Sequence, residues 1–225
     1  MPWWNRLINS SVGLKSLMAV TGLLLVGFVI LHMIGNLNAY RGADALNSYA
    51  QTLKNFGPLL WVARLGLLSI FIVHLAAAFR LTAIARKARP IAYAFQKPIV
   101  STFASRTMMM SGLIILFFLL YHLAHFTFHW FDDYGAWTDA QGRQDVYRMF
   151  VTGFQNPLAS LFYVVANVLL GLHLSHAIQS LFQTLGIKSN KFAPLIKCGG
   201  VSVAWLVAGA NISFPVSVLL GVIHL

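Results

Sequence analysis

The chain has 225 residues, 58% hydrophobic and only 9% charged, with a mean hydropathy of +0.73, whereas a soluble domain is about 25% charged. That excludes a soluble globular protein and points to a single bundle of membrane helices. The formal charge of +11, from 16 Lys and Arg against 5 acids, would suggest nucleic acid in a soluble protein; here it belongs to loops on the cytoplasmic face, and no nucleic-acid partner is expected.

All five acids are Asp, and the chain has no Glu. The single Cys198 excludes an internal disulfide, and the absence of C-x-x-C-H excludes covalent c-type haem. The first apolar run is too long for a signal peptide and no A-x-A site follows it, so it reads as a retained helix.

The first span is predicted over 12–37, with Trp3 and Trp4 ahead of it as interface anchors and His32 in its second half. Gly13, Gly22, Gly27 and Gly35 thin this helix and allow close approach. In the following loop Leu46, Tyr49, Ala50 and Leu53 recur at helical spacing, which predicts a short amphipathic helix ended by Gly57-Pro58. The second span is predicted over 59–84 and carries His74; the most basic stretch, RKARPIAYAFQKP, comes after it. The third span, 106–131, has no charged residue between Thr107 and Trp130 but contains His122, His125 and His129. A polar loop with four of the five Asp ends in a second amphipathic segment at 146–150. The fourth span, 157–185, carries His173 and His176; the fifth, 193–225, contains Gly199-Gly200 and Pro215 and ends near His224. The expected fold is therefore an all-α bundle of five transmembrane helices in one domain, with short amphipathic helices in two outer loops.

Eleven of the 16 Lys and Arg fall on the side of the N-terminus; the other five lie on the opposite side with every Asp. The positive-inside rule then puts the N-terminus in the cytoplasm and the C-terminus outside.

An ionisable side chain inside a span is costly and usually has a partner or a task. His32, His74 and His173 each lie 15 residues, and His122 14 residues, from the start of their apolar runs, about 22 Å along each helix at 1.5 Å per residue. Because alternate helices run in opposite directions, His32 and His122 share an outer layer, and His74 and His173 an inner one. Two facing imidazoles from different helices can hold a haem iron, and two such sites make a path for electrons across the membrane. The bland alternative for each histidine is a helix–helix hydrogen bond. It is the better reading of any one alone and the worse reading of four at matched depth. His125 and His176, each three residues after a candidate, could replace it as ligand.

The segments HMIGNLNAYRGADALNSYA, YHLAHF and HLSHAIQSLFQTLG, in this order and with five spans, resemble the di-haem cytochrome b membrane anchor of bacterial succinate dehydrogenase/fumarate reductase, complex II of the tricarboxylic acid cycle and electron transport. The likeness is to the single-polypeptide, five-helix type and covers nearly the whole chain. It implies non-covalent bis-histidine haem b at two sites, a distal haem held by His32 and His122 and a proximal one held by His74 and His173. It also implies a flavoprotein partner carrying FAD, an iron–sulfur partner on the cytoplasmic side, a bacterial inner membrane, and exchange of electrons with a quinone, expected to be menaquinone. The succinate chemistry would lie in the flavoprotein. One departure stands out: a membrane Glu used by a menaquinol-oxidising member of the family, two residues before the fourth-span ligand, is here Gly171.

Polar groups near the outer layer, Asn36, Asn38, His125 and His129, are candidates for a quinone site, as are Arg80, Arg86 and Arg106 near the inner one. The competing readings are a di-haem cytochrome b subunit of a hydrogenase or formate dehydrogenase, and a transporter with a histidine relay.

Overall fold

The computed structural model describes residues 5, 8–88, 91, 101–187 and 189–225. Trp3, Trp4, Arg6, Lys188 and most of the basic stretch from Arg86 to Lys97 lie outside the described residues. Among the described residues the chain is all-α with no strand, and five of its helices are long and apolar enough to cross a membrane. It is a multi-pass membrane bundle.

Seven helices carry the fold: α1 (Ser11–Asn36), α2 (Ala43–Asn55), α3 (Pro58–Ala88), α4 (Met108–Phe126), α5 (Val146–Gln155), α6 (Pro157–Thr184) and α7 (Ala193–Leu219). The spans are α1, α3, α4, α6 and α7. Their ends follow local chemistry. Ser10 caps α1 by accepting the Gly13 N–H at 2.9 Å, and Asn156 caps α6 by accepting from Leu158 at 3.0 Å and Ala159 at 3.2 Å, with Pro157 in the first turn. Gly57, at φ 54°, turns the chain from α2 into α3.

α3 runs on to Ala88 rather than 84 and α5 to Gln155 rather than 150, while two spans stop short of the sequence expectation. α4 stops at Phe126 rather than 131, because the Phe128 N–H bonds to the Leu123 carbonyl at 2.8 Å and His129 takes a left-handed φ of 54°. α7 stops at Leu219 rather than 225, where Gly221, at φ 71°, turns the tail back and the Tyr147 hydroxyl donates to the His224 carbonyl at 2.9 Å.

The spans pack unevenly. α6 and α7 make the most extensive contact; α3 rests mainly on α1, and α4 on α6. The α6–α7 seam is close because it is built from small residues: Ala204 and Ala208 are wholly buried, and a Cβ on Gly171 would come within 3.0 Å of the Ala208 Cβ. α3 buries only Ala77, which leaves its apolar surface outward for lipid.

α2 and α5 pack on each other across one end of the bundle. Leu46 of α2 and Phe150, Val151 and Phe154 of α5 form a core there with Tyr163, Phe214 and Val218. A polar clasp completes the contact. Asn47 donates to Asp139 and Asp145 and accepts from the Tyr147 N–H. Arg143 pairs with Asp139 at 2.7 Å and with Asp44 at 2.9 Å. Burial alone would push the Asp139 carboxyl up; hydrogen bonds from the Arg143 side chain and backbone, Gln141 and Asn47 outweigh it and hold the pKa down at about 2. The same pairing raises the Arg143 pKa.

Candidate functional site

Helix lengths place the histidines. His32 lies four residues before the end of α1, and His122 four before the end of α4. His74 and His173 each lie 16 residues after the start of α3 and α6. All four of those termini are at the α2/α5 end, so the two levels are about 18 Å apart at 1.5 Å per residue.

In the level nearer the α2/α5 end, the rings of His32 and His122 stand 5.8 Å apart, centre to centre, and nearly perpendicular at 84°. Among the described residues α1 and α4 make no substantial backbone contact; the two imidazoles meet across the space between them. Phe28 stacks on His32 with ring centres 5.5 Å apart. The structure thus brings His32 to His122, while His74 and His173 share the other level, each 16 residues into its helix.

The second ring nitrogens follow a pattern that the sequence reading did not extract. His74 Nδ1 lies 3.0 Å from Thr21 Oγ1 of α1, and His173 Nδ1 lies 3.1 Å from Ser111 Oγ of α4. His122 Nδ1 lies 3.2 Å from the hydroxyl of Tyr163 on α6. Glycines stand beside the first two rings. A Cβ at Gly22 would be 3.3 Å from His74 Cε1, and one at Gly112 would be 3.5 Å from His173 Cε1.

The signal for two of these residues was present in the chain as an internal repeat. Thr21-Gly22 precedes His32, and Ser111-Gly112 precedes His122, at the same spacing of 11 residues from hydroxyl to histidine. Eleven residues are about three full helical turns, or about 16 Å, so hydroxyl and histidine share a face. One face of α1, and one of α4, therefore carries a ring for one level and a hydroxyl for the other.

His125 and His176 are not equivalent to the residues they follow. His125 is buried, stacks on Phe126 at 4.0 Å and lies with its Nδ1 3.3 Å from Tyr163. His176 is half-buried. Of the other polar candidates, Asn38 is engaged at both ends, donating to the Gly35 carbonyl at 2.9 Å and accepting from Arg41 at 3.2 Å. Asn36 is half-buried where α1 gives way to a 3-10 turn. His125 and His129 both border Tyr134, each at 6.0 Å between ring centres. Among the described residues no hydrogen bond joins either to Asn36 or Asn38. A shallow groove of about 330 Å³ lined by Tyr121, Asn156, Leu158, Ala159 and Phe162 opens at the same end. Arg80 donates to Asn9 at 2.6 Å and Arg106 to the Ser101 carbonyl at 2.8 Å. His224 lies in the tail, with Nδ1 3.2 Å from the Gly221 carbonyl.

Two imidazoles from different helices are a donor set that would fit a haem iron. His32 and His122, with ring centres 5.8 Å apart, would be the residues to hold it. No protein-family model, curated protein or solved structure matches the chain.

Proposed function

We propose that the chain is the membrane-anchoring cytochrome b subunit of a succinate:quinone oxidoreductase, linking an iron–sulfur subunit to a membrane quinone by electron transfer. The observation that carries this reading is the perpendicular approach of His32 and His122 at 5.8 Å from two helices that otherwise stand apart. A single buried hydrogen-bonding histidine needs no second imidazole facing it.

In this reading His32 and His122 hold one b haem, and His74 and His173 the other. A bound haem supplies a one-electron iron couple. The protein's own part is to hold and orient the rings. Thr21, Ser111 and Tyr163 fix three of the four imidazoles through Nδ1, and Phe28 steadies the fourth by stacking. Leu174, Val207, Val26, Val29 and Ile30 close the middle of the bundle with apolar side chains.

The basic end of the bundle, with Arg86 and Lys87 in the last turn of α3, faces the cytoplasm of a bacterial inner membrane and docks the iron–sulfur and flavin subunits. The α2/α5 end faces outward, with the quinone beside the His32/His122 level and His125, His129, Asn36 and Asn38 at the same end. No Glu is available for a proton path, and every Asp lies in α2 or between α4 and α5.

The test is a redox-titrated visible spectrum of the purified complex with its copurifying subunits. Two b-type components are expected. A purified complex with no Soret band would refute the reading and favour the histidine-relay transporter.

A further inference from the structure

Protons on the hydroxyls beside the histidines can be counted. Thr21 donates its own to the Leu17 carbonyl at 2.8 Å, and Ser111 donates to the Met108 carbonyl at 3.1 Å. An oxygen whose proton is engaged elsewhere can only accept from a neighbouring imidazole. His74 and His173 therefore carry their proton on Nδ1 and present a bare Nε2 lone pair.

Tyr163 is 5% exposed and has two imidazoles on one hydroxyl, His122 Nδ1 at 3.2 Å and His125 Nδ1 at 3.3 Å. It has one proton to give. Among the described residues its oxygen has no other hydrogen-bond partner, so it accepts from one ring and donates to the other. The two histidines consequently hold opposite tautomers. His122 is the ring that meets His32. His125 instead turns its Nε2 to α5, where a Cβ on Gly153 would stand 3.1 Å from it. His122 thus takes the Nδ1–H form, like His74 and His173. His125 takes the Nε2–H form, with Nδ1 occupied by Tyr163 and no lone pair left for a metal.

The geometry points to Thr21, Ser111 and Tyr163 as positioning residues that select the metal-binding tautomer of His74, His173 and His122, with Tyr163 also sorting His122 from His125. This rests on the two-haem reading above. A Nδ1–H that donates to oxygen makes Nε2 more basic, which favours the oxidised iron. Removing the acceptor raises the midpoint potential of the site it serves and leaves the other site alone.

The experiment is a redox titration of the purified complex at one pH, with each spectral component assigned beforehand by His32→Ala and His74→Ala. Tyr163→Phe is expected to shift the oxidised-to-reduced ratio of the His32/His122 component about tenfold toward reduced, a rise of about 59 mV for one electron. Thr21→Val and Ser111→Ala should raise only the His74/His173 component, and Thr21→Ser and Ser111→Thr should restore it. His125→Phe should keep both components. Two haems whose potentials ignore the three hydroxyls would overturn the inference and spare the functional reading, as would shifts on the wrong component or loss of a haem in His125→Phe. A wild-type complex without haem would overturn the functional reading itself. If Tyr163→Phe does not assemble, the Thr21 and Ser111 variants decide.

Discussion

Gly171 offers a sharp test of the packing, because the α6–α7 seam closes directly on it. A Cβ there would stand 3.0 Å from Ala208 Cβ and 3.2 Å from the Trp205 ring. Carbon atoms prefer about 3.5–4.0 Å, so Gly171→Ala must part α6 and α7 by roughly 0.5–1 Å and forfeit a quarter to a half of the dispersion at the contact. Such overpacking costs about 1–3 kcal/mol, offset by up to about 1 kcal/mol from the better helix propensity of Ala. The control is Gly209→Ala on α7, which has nothing within 4 Å of the new Cβ and so keeps only the gain of about 1 kcal/mol. The two variants should differ by about 1–3 kcal/mol, a separation of about 2–12 °C in Tm for a chain of this size. The assay is thermal unfolding of the purified complex in one detergent, followed by Trp fluorescence with Trp205 at the contact. If Gly171→Ala melts with or above Gly209→Ala, the argument for the seam fails. Gly171→Glu adds a buried carboxylate two residues before His173; it should disrupt the His74/His173 spectral component rather than install a proton path.

His32→Ala and His122→Ala should each remove the same spectral component, and loss of different components would break the pairing. Asp139 has its folded pKa, about 2, below the ordinary carboxylate value of 3.8, so its contribution is complete above pH 4 and disappears as the pH falls through 2. Limited acid proteolysis of the Asp139–Arg143 turn should therefore begin only in that window, while Asp139→Asn should be cleaved equally at neutral pH and in acid. Protection of wild type and variant alike at neutral pH would count against the clasp. Finally, succinate-dependent menaquinone reduction in intact cells should slow when an uncoupler collapses the potential, since one charge crossing the membrane is worth about 2.3 kcal/mol per 100 mV. Unchanged activity would place the quinone at the basic end.

Much of the architecture was legible in the chain because lipid and water impose one-dimensional rules. Five long apolar runs had to be spans, and Leu46, Tyr49, Ala50 and Leu53 at helical spacing had to be a half-buried helix. Depth in a bilayer is counted in residues, which is why the levels of His32, His74, His122 and His173 could be written down before any coordinate. What counting could not reach is azimuth and register between helices. Whether His122 or His125 meets α1 depends on the rotation of α4, set by Tyr163 from α6 and by the room Gly153 leaves for Phe126 and His125. Thr21 and Ser111 are ordinary hydroxyls in apolar helices; they become brackets only because α3 and α6 bring an imidazole within 3.1 Å of them. The end of α4 at Phe126 and the use of Asn38 are by contrast settled locally, by bonds three to five residues apart in the chain. A buried ring such as His74 or His122 finds its partner through a neighbour distant in sequence, and only the folded bundle says which neighbour that is.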